Sequence, residues 1–277
     1  MATATQPRTD LIGVVGAVAQ NALNNLGDVA LFAGRMLAWL FRRAPCRGTM
    51  IPNLYYVGVR SVPVVAITGT FIGMVLAVQS YSQFHSLGLD SRLGSIINIS
   101  LIRELGPVLA ATMLAGRVGS AMAAELATMR ITDQIDALAC LGVNPVHYLV
   151  VPRFLACVLL IPLLTIIANF MGVMGAGLIC TKVYEIDAHH YWTHARDYVG
   201  MWDIWMGLIK PMFFGSVIAI VSCHRGFNSS AGAEGVGRAA TQAFVTSFIG
   251  ILVLDFFLGM FFNTLYDRIW PASGARF

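Results

Sequence analysis

Long apolar segments separated by short polar ones dominate the chain from residue 61 onward. A helix needs about 20 residues to cross a hydrocarbon core about 30 Å thick. We therefore predict membrane-spanning helices over residues 61–83, 93–128, 150–181, 204–223 and 239–266. The second is longer than a bilayer requires and should project beyond it. The predicted fold class is all-α: a polytopic membrane protein with one domain over residues 1–277.

The residues before the first span follow a different pattern. Apolar residues recur at helical spacing over residues 11–44, but Asn24, Asn25 and Asp28 interrupt them. This pattern predicts an N-terminal amphipathic helix in the membrane interface. A further span is the alternative, with those polar residues near its middle. Residues 1–10 are expected to be a disordered tail. A loop is predicted after the helix, marked by Pro45, Gly48 and Pro52.

Composition and charge support the membrane assignment. Apolar residues make up 57% of the chain and charged residues 12%, about half the ~25% of a soluble domain. Arginines concentrate before the first span, which by the positive-inside rule puts the N-terminus in the cytoplasm; they are Arg8, Arg35, Arg42, Arg43, Arg47 and Arg60. Because apolar spans flank these residues, nucleic-acid binding is disfavoured. The cysteines form no CxxC pair and fit small apolar positions better than metal or disulfide sites.

Four charges lie within predicted spans at similar depth: Arg103, Glu104, Lys210 and Asp255. Ionisable groups at membrane depth are costly and indicate function by default. Their charges sum to zero, so a mutually paired cluster facing a cavity is the economical arrangement. Such a cluster either binds a ligand headgroup or gates the cavity. The alternative is a set of interhelical pairs that only fix packing.

The inner half of the second span favours close helix packing. Arg117 and Glu125 are eight residues apart, which we interpret as two turns on one face. Small residues accompany them and allow helix backbones to approach closely; they include Gly116, Gly119 and Ser120. We interpret this segment as packing within the bundle or across a dimer.

A short amphipathic helix is predicted after the second span, over residues 130–141. Apolar positions, including Ile131, Ile135 and Leu138, fall on one side, and Asp133, Gln134 and Asp136 lie toward the other. Thr132 is expected to cap this helix. Its apolar face could seat in a groove of a partner protein or pack on its own bundle.

Three catalytic or ligand-binding alternatives find little support. The histidines at 189, 190 and 194 lack a completing carboxylate or cysteine pattern, so no metal site is expected. The segment 232–237, GAEGVG, is expected to be a cytoplasmic loop, and no strand precedes it as a phosphate loop requires. Lys182 and Lys210 are the only lysines, and neither follows a phosphate-binding glycine loop. We expect no catalytic residues and no cofactor bound by this chain.

Residues 104–138, ELGPVLAATMLAGRVGSAMAAELATMRITDQIDAL, resemble the MlaE (YrbE) family of permeases in Mla/Mce-type lipid ABC transporters. Further matching stretches are GVNPVHYLVVPRFLA at 142–156 and SAGAEGVGRAATQAFV at 230–245. The resemblance covers about residues 35–266, and the tail beyond Tyr266 matches nothing in the family. It implies an all-helical permease with an interfacial helix and five spans in the bacterial inner membrane.

The resemblance also implies partners. Two permease copies form a homodimer with two cytoplasmic ATPase subunits, which bind ATP and magnesium. An Mce-domain substrate-binding protein sits on the outer side, and the substrate is a phospholipid or another hydrophobic lipid. The coupling helix that docks on the ATPase maps to Arg130, Thr132, Asp133, Gln134, Ile135, Asp136 and Leu138. Arg103 and Glu104 would lie near an outward-opening lipid cavity between the copies.

Two rival functions remain open at this point. One is an intramembrane enzyme acting on lipids, with Glu104, Asp255 and the histidines at 189, 190 and 194, expected on the outer side of the membrane, as acid–base groups. The other is a passive channel or an assembly scaffold. Association with an ATPase would separate both from the permease hypothesis.

Overall fold

The computed structural model of the chain describes residues 11–42, 47–86 and 93–269. Within those ranges it is helical throughout apart from short turns and connections, and it contains no strand. The helices are α1 (Leu11–Arg42), α2 (Arg47–Val57), α3 (Val62–His85), α4 (Leu93–Ile131), α5 (Gln134–Cys140), α6 (Val146–Lys182), α7 (Ala188–Tyr198), α8 (Met201–Phe227) and α9 (Ala233–Ile269). The predicted all-α class is confirmed.

Among the described residues, five helical segments are long and apolar enough to cross a membrane. They are Gly48–His85, which joins most of α2 to α3, and the helices α4, α6, α8 and α9. Each is longer than the corresponding predicted span, because the polar residues at its ends continue the helix instead of ending it. The predicted tail over residues 1–10 lies outside the described residues, as do residues 87–92 between the first two predicted spans.

Helix α6 is the centre of the bundle, with α3 on one side and α8 on another. Glycines allow the closest approach: a Cβ on Gly69 or Gly73 of α3 would collide with the backbone of Ala168 or Gly172 in α6. Lipid tails are as apolar as the side chains, so helices in a membrane associate through such tight contacts more than through hydrophobic burial. Helix α6 also packs against α8 and against the middle of α4, two of the helices that carry the site described below.

Helix α4 contains two wide turns of π-helix, Leu101–Leu105 and Ala115–Gly119. Each includes an arginine, Arg103 in the first and Arg117 in the second. Short π segments within α-helices often occur at functional sites. The irregular geometry of α4 therefore coincides with two of the charges that the sequence singled out.

The bundle has two distinct ends. At the α5 end, α1 packs through Phe32 against His224 and through Trp39 against His147, while Leu23 and Leu26 on α1 are exposed. At the α7 end, Tyr191 is buried against α4 and α6. Burial raises the pKa of this tyrosine well above its ordinary value.

Two predicted loops are helical instead. Pro45 lies outside the described residues, but Gly48 and Pro52 fall within the continuous helical segment. Pro52 removes one backbone donor, and the Asn53 side chain donates to the neighbouring Thr49 carbonyl at 2.7 Å. The glycine-rich segment 232–237 begins α9 at Ala233, so the prediction of a loop there is wrong. Gly232 precedes that helix with φ 89°, a value that favours glycine.

Candidate functional site

Lys210 of α8 is fully buried between two carboxylates from other spans. Its Nζ donates to Glu104 Oε2 of α4 at 2.5 Å and to Asp255 Oδ1 of α9 at 3.0 Å. A buried charge in the bilayer persists when it is paired and hydrogen-bonded. Three of the four charges that the sequence placed at one depth therefore meet, and we call Glu104, Lys210 and Asp255 the carboxylate–lysine cluster.

The cluster is charged and partly open. Two carboxylates and one ammonium leave one negative charge in excess. The Glu104 side chain is 43% exposed and Asp255 21% exposed, whereas Lys210 is inaccessible. Gly259 of α9 lies against the cluster, where a Cβ would be 3.7 Å from Lys210 Nζ. The arrangement offers carboxylate oxygens, rather than the ammonium group, to whatever occupies the space beside α4 and α9.

Arg103 has other partners, so the prediction of one four-membered cluster is wrong for this residue. Its Nε lies 3.3 Å from Asp203 Oδ1, and one of its terminal nitrogens donates to Asn263 Oδ1 at 2.8 Å. Asp203 also accepts from the backbone N–H of Gly200 at 3.1 Å, at the start of α8. Arg103 therefore ties α4 to α8 and α9 beside the cluster, and sequence reasoning missed both of its partners.

The two charges in the inner half of α4 do not share a face. Arg117 donates to Ser61 Oγ at 2.5 Å, next to the start of α3. Glu125 pairs with the buried Arg153 of α6 at 3.1 Å. Eight residues at 100° per residue leave a difference of about 80° in a regular α-helix, and the partners of the two charges belong to different elements. Each charge therefore links α4 to a different neighbour.

The small residues of this segment make different contacts. A Cβ on Gly119 would approach Ser222 Oγ of α8 to 2.8 Å, so this glycine permits close packing within the chain. Gly116 faces Phe244 of α9, where a Cβ would make ordinary contact at 3.5 Å. The Ser120 hydroxyl donates to the Gly116 carbonyl. Close helix packing holds for Gly119 but does not explain Gly116.

Helix α5 seats part of its apolar face on its own bundle. Ile135 is buried and Leu138 half-buried against the core. Leu141 just beyond the helix is 78% exposed. Arg130 pairs with Asp136 at 2.6 Å on the surface, and Gln134 is exposed. The part of α5 left for a partner is therefore its polar side and the exposed Leu141.

The predicted cap of α5 is wrong. Thr132 Oγ1 donates instead to the Thr128 carbonyl at 2.9 Å in the last turn of α4. Asp133 holds the capping position with φ 55°, a left-handed conformation that costs a non-glycine residue energy. This conformation makes the sharp turn from α4 into α5.

Two grooves lie near these residues. One, of about 370 Å³, adjoins α5 and is lined by Thr128, Ile131, Thr132, Gly232, Ala233 and Val236. The other, of about 270 Å³, lies between α4, α6 and α8, and its lining includes Ile102, Phe170 and Gly207. Within the described ranges, no three His, Cys, Asp or Glu side chains are grouped to hold a metal ion.

Comparison with known proteins agrees with this architecture. The family model described as Permease MlaE matches residues 50–261. A probable ABC transporter permease protein of Rickettsia felis is 39% identical over 251 residues, 90% of this chain and 97% of that protein. A probable ABC transporter permease protein of Synechocystis is 41% identical over 212 residues, which cover 76% of this chain and 81% of that protein.

A plant relative extends the comparison. The protein Trigalactosyldiacylglycerol 1, chloroplastic, of Arabidopsis thaliana is 36% identical over 235 residues, which cover 85% of this chain and 67% of that protein. The family match spans most of the chain, and five helices in the part of the chain that the structure describes can cross a membrane. The chain therefore belongs to the MlaE permease family and is a multi-pass membrane protein, the permease subunit of an ABC transporter.

Proposed function

We propose that this permease moves phospholipid, and that the carboxylate–lysine cluster contacts the lipid headgroup. The observation that carries the proposal is a fully buried lysine held by carboxylates from two other spans, one of them 43% exposed. An exposed carboxylate beside a buried charge pair gives a polar contact at a depth where lipid tails otherwise face the protein.

An apolar groove on the same helices suits a lipid. The groove between α4, α6 and α8 is almost entirely apolar, and it is lined by Ile102, two residues before Glu104 in the chain. Acyl chains would lie along such a surface while the headgroup reaches Glu104. The name of the Arabidopsis relative is that of a glycolipid, which supports a lipid as the class of substrate. In this proposal the chain changes the position of the lipid and makes or breaks no covalent bond, so it is a non-catalytic subunit.

Energy would come from ATP and magnesium bound by two partner ATPase subunits. The sequence contains no Walker A motif. The polar side of α5 and the adjoining 370 Å³ groove give a docking surface at one end of the bundle. The arginines that precede α3 favour the cytoplasm for this end and for the N-terminus.

The other proposed partners follow from the exposed faces. Only 11% of the most apolar 18-residue stretch of α9 is buried. Phe256, Phe257 and Phe261 are exposed along this helix. A second copy of the chain would cover this face and enclose a lipid cavity beside Asp255. An Mce-domain protein would sit at the α7 end, on the outer side of a bacterial inner membrane.

Glu104→Gln tests the headgroup contact. We expect a severalfold loss of ATP-dependent phospholipid transfer from vesicles containing the assembled complex, because the substitution removes the exposed charge but keeps the shape. Glu125→Gln is the matched control, since Glu125 lies on the same helix, is 50% exposed and also pairs with a buried cation. Equal transfer rates in wild type and Glu104→Gln would contradict the headgroup contact, as would an equal loss in both variants.

Charge reversal on α5 tests the docking surface. The double variant Asp133→Lys with Asp136→Lys should reduce co-purification of the ATPase, whereas Glu185→Lys at the opposite end should not. Unchanged co-purification of the α5 variant would refute ATPase docking there. Lipid conversion by the isolated chain without ATP would favour the intramembrane enzyme instead.

A further inference from the structure

A groove of about 350 Å³ opens on the side of the bundle, away from the carboxylate–lysine cluster. It lies between α3, α4 and α9, and is lined by Val64, Thr112, Met113, Gly116, Arg117, Phe244 and Phe248. The lining is almost entirely apolar, and a single guanidinium group provides its charge. Gly116 keeps the groove open, because any side chain there would enter it and meet Phe244.

Arg117 differs from three other buried or half-buried cations of the bundle. Lys210, Arg103 and Arg153 each pair with a carboxylate. Arg117 instead contacts Ser61 Oγ and lies 5.7 Å from the Tyr56 ring centroid. Among the described residues no carboxylate lies within salt-bridge distance of it. A cation in an apolar groove without a protein anion is costly unless an anion from elsewhere neutralises it.

A second cation lies nearby. The guanidinium carbon of Arg60 is 5.8 Å from the centroid of the same Tyr56 ring. Arg60 is exposed, and no acidic partner among the described residues lies within salt-bridge distance of it either. Two guanidinium groups therefore share one aromatic ring, and one of them, that of Arg117, also lines the apolar groove.

The depth of Arg117 matches that of a lipid phosphate. Helix α3 has 24 residues, about 36 Å at 1.5 Å per residue, which covers a hydrocarbon core of about 30 Å. Ser61 immediately precedes that helix, so its hydroxyl lies near the edge of the core. Tyr55, Tyr56 and Arg60 lie within six residues before Ser61, as expected of side chains at a membrane interface.

We infer that this groove binds one phospholipid of the surrounding bilayer. Arg117, with Arg60 beside it, holds the phosphodiester, and an acyl chain lies along Gly116, Phe244 and Phe248. Arginine suits this role because its planar donors match the geometry of a phosphate. The inference needs only that the chain is embedded in a membrane, so it stands or falls separately from the proposed headgroup contact. Arg103 and Arg117 are 14 residues apart, about 21 Å along α4.

Lipid titration of the purified full chain tests the inference. Native mass spectrometry in detergent, with phosphatidylglycerol as the probe, measures the affinity of the most tightly retained lipid. We expect Arg117→Gln to weaken it about tenfold, the value of one lost charge-assisted hydrogen bond, and Arg117→Lys to weaken it less. Arg130→Gln is the matched control, because Arg130 lies on the same helix but pairs with Asp136 at the surface.

Gly116→Leu tests the acyl-chain contact with the charge intact. It should also displace the lipid, since the new side chain fills the groove and the backbone there has room for a Cβ. Unchanged lipid affinity in both Arg117→Gln and Gly116→Leu would overturn the inference, as would displacement of the lipid by inorganic phosphate alone. Cross-linking of Phe244→Cys to a second copy in the bilayer, with no lipid retained, would mean that protein covers the groove instead.

Discussion

Replacing Lys210 with Met would remove the cation that joins α4 to α9. Glu104 Oε2 and Asp255 Oδ1 lie 2.5 and 3.0 Å from the same nitrogen, so they are at most 5.5 Å apart. At an effective dielectric constant of about 20, two carboxylates at that distance repel by at least about 3 kcal/mol. This agrees with the cost of about 3–5 kcal/mol for removing one partner of a buried ion pair.

We therefore expect Lys210→Met to lower the free energy of unfolding by about 3 kcal/mol. On the scale for soluble domains of similar length, the midpoint of thermal unfolding would fall by roughly 6–12 °C. The measurement is thermal unfolding of the purified chain in detergent, followed by tryptophan fluorescence. Methionine fills a similar volume, so a cavity contributes little to the change.

The triple variant Lys210→Met, Glu104→Gln, Asp255→Asn separates repulsion from lost packing. It has the same methionine but no charge, so its unfolding midpoint should recover most of the decrease. If the triple variant unfolds at or below the midpoint of Lys210→Met alone, carboxylate repulsion is not the cause. A midpoint for Lys210→Met equal to that of the wild type would refute the argument altogether.

Two further substitutions test the backbone features of the fold. Gly73→Ala should lower the free energy of unfolding by about 1–3 kcal/mol, because its Cβ would collide with the Gly172 backbone; Gly34→Ala, with open space around it, should raise it by up to about 1 kcal/mol. Asp133→Gly should stabilise the turn into α5 by about 1 kcal/mol and Asp133→Val should destabilise it, since φ is 55°; thermal unfolding with equal midpoints for Gly, Asp and Val would contradict this.

The sequence could predict the spans because long apolar segments have few alternatives in a bilayer. It predicted their ends less well. Residues 233–237 are rich in glycine, which is typical of loops, yet they form the first turns of α9. Pro52 similarly lies inside a helix. A helix that continues beyond the membrane is stabilised by packing against neighbouring helices, which local sequence does not record.

The sequence predicted the depth of the charged residues in the membrane but not the direction in which each side chain points. Counting residues along each span placed Lys210 beside Glu104 and Asp255. It could not orient Arg103, because the π turn at Leu101–Leu105 changes the direction of each side chain beyond it. Its partners Asp203 and Asn263 are 100 and 160 residues away, so no local pattern connects them.

The wide turns of α4 also determine how this helix tolerates changes in length. Each π turn changes the rotation of the residues beyond it relative to a regular α-helix, in which one residue corresponds to a rotation of about 100°. Deleting one residue within Leu101–Leu105 or Ala115–Gly119 could restore regular hydrogen bonding without rotating the rest of α4. The same deletion within a regular stretch would turn every later side chain away from its neighbours. The π turns are therefore the places where α4 can shorten by a residue and keep its register.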